Sequence, residues 1–167
     1  LRKIVIVNSH GGNLDLISIL SRELRVEAGM LAVKCQWGSF GHPEGMYSEA
    51  ERQFGIHGGD VETSLMLHFR PETVRMDQAK RFVSSAETDM VPPIGPVSRG
   101  WIAADLNPDG TVGDASAAPA ENGAATCAHQ VAGPPQAPRH HCSAFCPSPE
   151  TPHHLEPENA KGAAGFL

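Results

Sequence analysis

Ile4-Val5-Ile6-Val7-Asn8-Ser9-His10-Gly11-Gly12-Asn13 reads as a strand, a tight turn and a helix start. The first four residues are continuously apolar rather than alternating, the pattern of a strand covered on both faces. The two glycines permit a sharp turn at the strand's carboxyl end. Asn13 suits the N-cap of the helix that should follow. His10 then sits at the carboxyl end of a parallel-type strand, where open α/β sheets place their ligands. A histidine there either serves a site or merely supports the loop, and the local pattern leaves both readings open.

Downstream, Leu14 to Leu24 carries apolar residues at helical spacing through Leu14 or Ile17 and Leu20 or Leu24. Gly29 is placed to end that helix, and Met30 to Trp37 reads as the next strand. Strand, helix and strand of this length make a βαβ unit with a parallel pair. Gly38 to Gly55 is a long excursion in which Trp37 and Tyr47 either wall a pocket or pack the loop onto the body. His57-Gly58-Gly59-Asp60-Val61-Glu62-Thr63-Ser64 repeats the opening logic, a histidine before two glycines and a helix start. Asp60 is the expected N-cap, with Glu62 in the first turn, where the helix dipole favours a carboxylate. Pro71 stops the helix. Asp77 to Arg99 reads as a loop with at most one short helix near residues 78–84. Gly100 to Leu106 suggests a short strand, Asn107-Pro108-Asp109-Gly110 is a turn, and a helix should start near Ala118. Gly123 weakens that helix by about 1 kcal/mol relative to alanine.

The 167 residues amount to one domain's worth of chain. A formal net charge of −6 without a basic cluster argues against nucleic-acid or anionic-membrane partners. No apolar run is long enough to span a bilayer. The chain opens at Leu1-Arg2-Lys3 almost directly into the strand, with no secretory leader, which suggests a truncation of something longer. Cys35 and Cys127 read as small buried hydrophobes of a reducing, cytoplasmic compartment. A partial α/β domain is expected over 1–133. Residues 134–167 hold half of the fourteen prolines and four of the nine histidines but neither Ile nor Val, so disorder is expected there. The tail's His140, His141, Cys142, Cys146, His153 and His154 are zinc-compatible types, but their spacing fits no standard finger.

Nucleophile and nucleotide signatures are missing. There is no Gly-x-Ser-x-Gly elbow, no Gly-x-Gly-x-x-Gly after a strand and no Walker loop. His10, His57 and Glu62 supply part of what a hydrolytic metal site needs, imidazole and carboxylate ligands plus a proton-transfer group, without completing it.

The motifs resemble those of the creatininase (creatinine amidohydrolase) family. Asn8-Ser9-His10-Gly11-Gly12-Asn13 looks like its N-G-H-G-G-N motif. His57 to Ser64 resembles its H-A-G-x-x-E-T-S motif, and Gly113 to Gly123 its G-D-x-x-x-A-T-A-E-K-G segment. The resemblance implies a three-layer α/β/α fold with a largely parallel sheet, here N-terminally incomplete, since the family's E-x-H…D ligand pattern precedes the first motif. It implies hydrolysis of a non-peptide C–N bond, in a cyclic amide or formamide, with one or two divalent ions such as Zn²⁺, Mn²⁺ or Fe²⁺. By motif position His10 and Glu62 look like metal ligands and His57 like the proton-transfer histidine. A small amide substrate and a homo-oligomer are expected. The alternative is an inactive, truncated family member acting as a binding fragment.

Overall fold

The computed structural model describes residues 1–133, and both expectations for 134–167, disorder and a marginal zinc set, lie outside them. The described chain forms two compact units, Leu1–Phe40 and Gly41–Ala132.

The first unit is the βαβ unit expected from the opening stretch. Strand β1 (Lys3–Asn8) leads through a 3-10 turn (Gly11–Asn13) into helix α1 (Leu14–Ala28) and strand β2 (Leu31–Gln36). The strands pair in parallel, from Lys3 opposite Leu31 to Asn8 opposite Gln36. Gly29 ends α1 in the left-handed conformation, φ 60°, where a Cβ would be strained. Ile17 and Leu24 sit on the better-buried side of α1, whereas Leu14 and Leu20 are exposed. The strand is not covered on both faces: Val5 and Val7 are exposed while Ile4 and Ile6 are half-buried. A two-stranded sheet with one helix against it leaves one face open, so burial alternates although composition does not.

The second unit packs helix α3 (Asp60–Phe69) against helix α5 (Ala120–Ala132). Ser64 and Thr126 are wholly buried, and Tyr47, Leu106, Val112, Ala115 and Ala118 form the apolar core. Small residues let the two helices approach closely. A Cβ at Gly123 would run into the backbone carbonyl of Ser64. The glycine that weakens the isolated helix is thus what the helix pair requires.

Several local expectations are corrected. The 38–55 excursion contains helix α2 (Glu49–Phe54), capped by Ser48, whose hydroxyl accepts from the Glu51 N–H at 3.1 Å. In place of one short helix near 78–84 there are two 3-10 turns, Met76–Gln78 and Ser85–Glu87, with strand β3 (Arg81–Phe82) between them, paired antiparallel with strand β4 (Gly113–Asp114). The expected strand at 100–106 is instead helix α4 (Ala103–Leu106), because the Asp105 carboxylate reaches back to the Ile102 N–H at 2.9 Å. The Asn107–Gly110 turn forms as read, with Gly110 N–H on the Asn107 carbonyl at 2.9 Å. Helix α5 starts two residues later than expected, after Pro119.

Candidate functional site

In the first unit the His10 turn is organised by Asn8. This side chain is buried, and its Nδ2 donates to Gln36 Oε1 at 2.5 Å and to the His10 carbonyl at 2.7 Å. Its Oδ1 accepts from Asn13 Nδ2 at 3.2 Å and, at 3.4 Å, from the His10 N–H. Asn13 therefore spends its side chain on Asn8 and makes no cap bond. The helix entrance is covered instead by His10, whose Nδ1 accepts from the Gly12 N–H at 3.1 Å. A Cβ at Gly12 would stand 3.0 Å from His10 Cε1, so only glycine lets the ring lie over the turn comfortably. A backbone N–H can only donate, so in a neutral ring this bond puts the proton on Nε2. A metal on Nε2 would require that proton to leave. Asn8→Asp would remove two donated bonds and set a carboxylate against two oxygens. We expect a stability loss of about 2 kcal/mol, read as a lower urea midpoint of the full chain.

The second unit holds His57 and Glu62. His57 is half-buried, and its carbonyl accepts from the Val112 N–H at 2.8 Å and the Thr111 hydroxyl at 2.7 Å. Its imidazole makes no hydrogen bond among the described residues. Gly58 follows with φ +77°, and a Cβ there would meet the Thr111 hydroxyl, so the turn admits little but glycine. Gly59, not Asp60, is the N-cap of α3; Asp60 is buried inside the first turn, where its carboxylate accepts from the Ser64 hydroxyl at 2.9 Å. Burial chiefly raises the Asp60 pKa, against that hydrogen bond. Glu62 Oε2 accepts from the Gly58 N–H at 2.6 Å, closing the turn and leaving Oε1 without a protein partner among the described residues.

Beneath this turn lies a residue that sequence reasoning passed over. Glu51 is buried, with Oε1 accepting from the Val61 N–H at 3.2 Å and Oε2 from the Asp114 N–H at 3.1 Å. Its carboxylate fills the space that side chains at Gly55, Gly59 and Gly113 would occupy. It thereby ties α2, the start of α3 and β4 together. Burial first, and then the nearby Asp60 carboxylate, hold its pKa above the ordinary value against the backbone bonds that lower it. The signal available in the sequence was three glycines around one acid, but glycine at 55 and 113 reads equally as a turn.

A cleft of about 370 Å³ opens beside the Gly58 turn. Glu62, Thr63, Thr73, Arg75 and Gln78 give it polar walls; Met66, Val74 and Phe82 give it apolar ones. Neither Trp37 nor Tyr47 lines it. Trp37 lies in the first unit, in the 3-10 turn Trp37–Phe40. Tyr47 is the packing group of the two options open from sequence. It is 3% exposed, its hydroxyl is 2.8 Å from the Thr126 hydroxyl, and its ring meets His42 edge-on at 4.8 Å. Burial raises its pKa.

Can these residues hold a metal? His10 and Glu62 are donors of the right kind, but no group of three or more His, Cys, Asp or Glu able to hold an ion occurs among the described residues. Catalytic sites of the zinc type use three protein ligands. The described residues fit a metal in kind and not in number.

The sequence model of the creatininase family, described as creatinine amidohydrolase, matches residues 1–134. The chain belongs to the creatininase family. It is 30% identical over 129 residues to the mycofactocin precursor peptide peptidase of Mycobacterium ulcerans (strain Agy99), covering 77% of this chain and 45% of that protein. A Bacteroides fragilis NCTC 9343 protein provisionally named a creatinine amidohydrolase is similar in structure. The TM-score is 0.57 at 27% identity, over 79% of this chain and 51% of that one. A creatininase designated with Mn gives 0.53 at 25% identity, over 78% of this chain and 53% of that one. The creatininase-like α/β fold and the resemblance read from the three motifs are thereby established. The chain spans about half the length of the relatives it matches. No helix among the described residues is long and apolar enough to cross a membrane.

Proposed function

We propose that this creatininase-family chain carries part of the active site of a metal-dependent hydrolase that cleaves a non-peptide C–N bond, in a cyclic amide or a formamide. The observation that carries the reading is the Gly58 turn. It holds His57 at one end and Glu62 at the other, with the Glu62 carboxylate fixed to the Gly58 N–H on the wall of a cleft. His57 has a fixed backbone and an imidazole with no protein partner among the described residues, so its ring is available to carry a proton to a leaving nitrogen. Glu62 keeps one oxygen free for a divalent ion, and His10, in the first unit, is by its motif position the other candidate metal ligand. A bound Zn²⁺, Mn²⁺ or Fe²⁺, one or two per site, would supply an activated water and polarise the carbonyl. The family's small amide substrates, a cytoplasmic location and a homo-oligomer complete the reading.

The test is metal analysis of the full chain with an amidohydrolase assay on creatinine and formamide in Mn²⁺. Turnover should fall roughly a hundredfold in His57→Ala with metal content unchanged. His10→Ala should lose metal and turnover together. Metal-free protein without turnover would overturn the proposal and leave the inactive binding fragment as the reading.

A further inference from the structure

Arg75 is the odd cation of the second unit. Of the six lysines and arginines between Gly41 and Ala132, five are in ion pairs: Arg52 with Glu49, Arg70 with Glu72, Lys80 with Asp109, Arg81 with Glu87 and Arg99 with Asp89. Arg75 makes no ion pair among the described residues, yet it lines the same cleft as Glu62. The acid nearest in sequence, Asp77, makes no ion pair with it; its carboxylate accepts from Gln78 Nε2 at 2.8 Å. Lys80, across Phe82, is occupied too; its ammonium is 2.8 Å from Asp109 and 5.1 Å from the Phe82 ring centre. The cleft thus has a carboxylate at one place, an uncommitted guanidinium at another, and Met66, Val74 and Phe82 as apolar wall.

We propose that Arg75 is a specificity-determining residue that binds a carboxylate on the substrate, so that the cleft selects amides with an apolar body and a free acid group. This deepens, and rests on, the amide-hydrolase reading. A guanidinium is always charged and presents parallel N–H donors that match a carboxylate in a fork. Glu62 repels an anion, which fixes the orientation: the acid group goes to Arg75, and the amide lies toward the Glu62 end. Met66, Val74 and Phe82 supply the apolar surface for the body. In a chain of net charge −6 an anionic substrate gains nothing from the overall field, so its recognition must come from a local cation of this kind.

The probes are hippurate, an aromatic amide with a carboxylate, and hippuramide, its neutral counterpart, each titrated calorimetrically into the full chain. Hippurate should bind about tenfold more tightly than hippuramide, and added salt should narrow the gap. Arg75→Gln should bring hippurate to the level of hippuramide and leave hippuramide unchanged, while Arg75→Lys should keep part of the preference. Equal binding of the two probes, a preference that survives Arg75→Gln, or no binding of hippurate would overturn the assignment. A preference lost in Arg75→Gln in a chain that hydrolyses no amide would sink the hydrolase reading and keep the carboxylate site.

Discussion

Gly123→Ala should destabilise the second unit by about 3 kcal/mol, the upper part of the range for overpacking a close contact. The added methyl has nowhere to go. It would meet the Ser64 carbonyl carbon and oxygen and the Leu65 nitrogen, all backbone atoms of α3. A clashing side chain could rotate away, but a backbone can yield only if the helices part. Parting them would pull Thr126 from the Tyr47 hydroxyl and uncover Ser64, both wholly buried now. Helix propensity alone predicts the opposite sign, since alanine is favoured over glycine by about 1 kcal/mol. The two effects compete, and the steric one wins because the contact is with main chain. Urea unfolding followed by far-ultraviolet circular dichroism measures the difference. A stabilised variant would show that α3 and α5 do not approach as closely as they do in this structure.

That conflict shows what a linear reading can reach. The opening strand, α1, the second strand and the helix after His57 follow from periodicity and from glycine or proline at their ends, all of which act within a few residues. The three motifs carried the family, and the family model then matched the whole of the described chain. What escaped the reading depends on partners distant in sequence. Glu51 bonds to Val61 and Asp114, ten and 63 positions away, and no local pattern marks an exposed-type residue as buried. Asn8 stood inside a quoted motif and drew no reading of its own; its role needs Gln36 on the neighbouring strand. The stretch at α4 was read as a strand, since aromatic Trp101 and β-branched Ile102 both favour one, whereas Asp105 turns the chain by one hydrogen bond. Of the three residues singled out for chemistry, His57 and Glu62 fall in one unit, flanking one turn, and His10 in the other.

Glu51→Ala should cost about 3–5 kcal/mol, because it leaves the Val61 and Asp114 N–H groups without acceptors inside the fold and empties the space among three glycines. Glu51→Gln should cost less, since its amide oxygen can serve one N–H while its amino group faces the other. The two variants also separate by pH. Burial holds the Glu51 carboxyl above its ordinary value of 4.5 and Asp60 above 3.8, so the folded chain keeps these protons more tightly than the unfolded one. The stability from each such group is fully present below its ordinary value and is lost as pH rises through the raised folded value. Wild-type melting temperature, compared with Glu51→Gln at each pH, should therefore fall more steeply as pH rises from about 4.5 toward neutral. Asp60 keeps a residual slope in the variant. Parallel curves would mean that Glu51 titrates alike in both states. The site should respond as well, because Glu51 fixes the N-terminus of α3, from which Glu62 reaches the Gly58 N–H. Amide exchange at Gly58 should accelerate in Glu51→Gln even where global stability is restored by low temperature, which separates a loosened turn from a merely weakened fold.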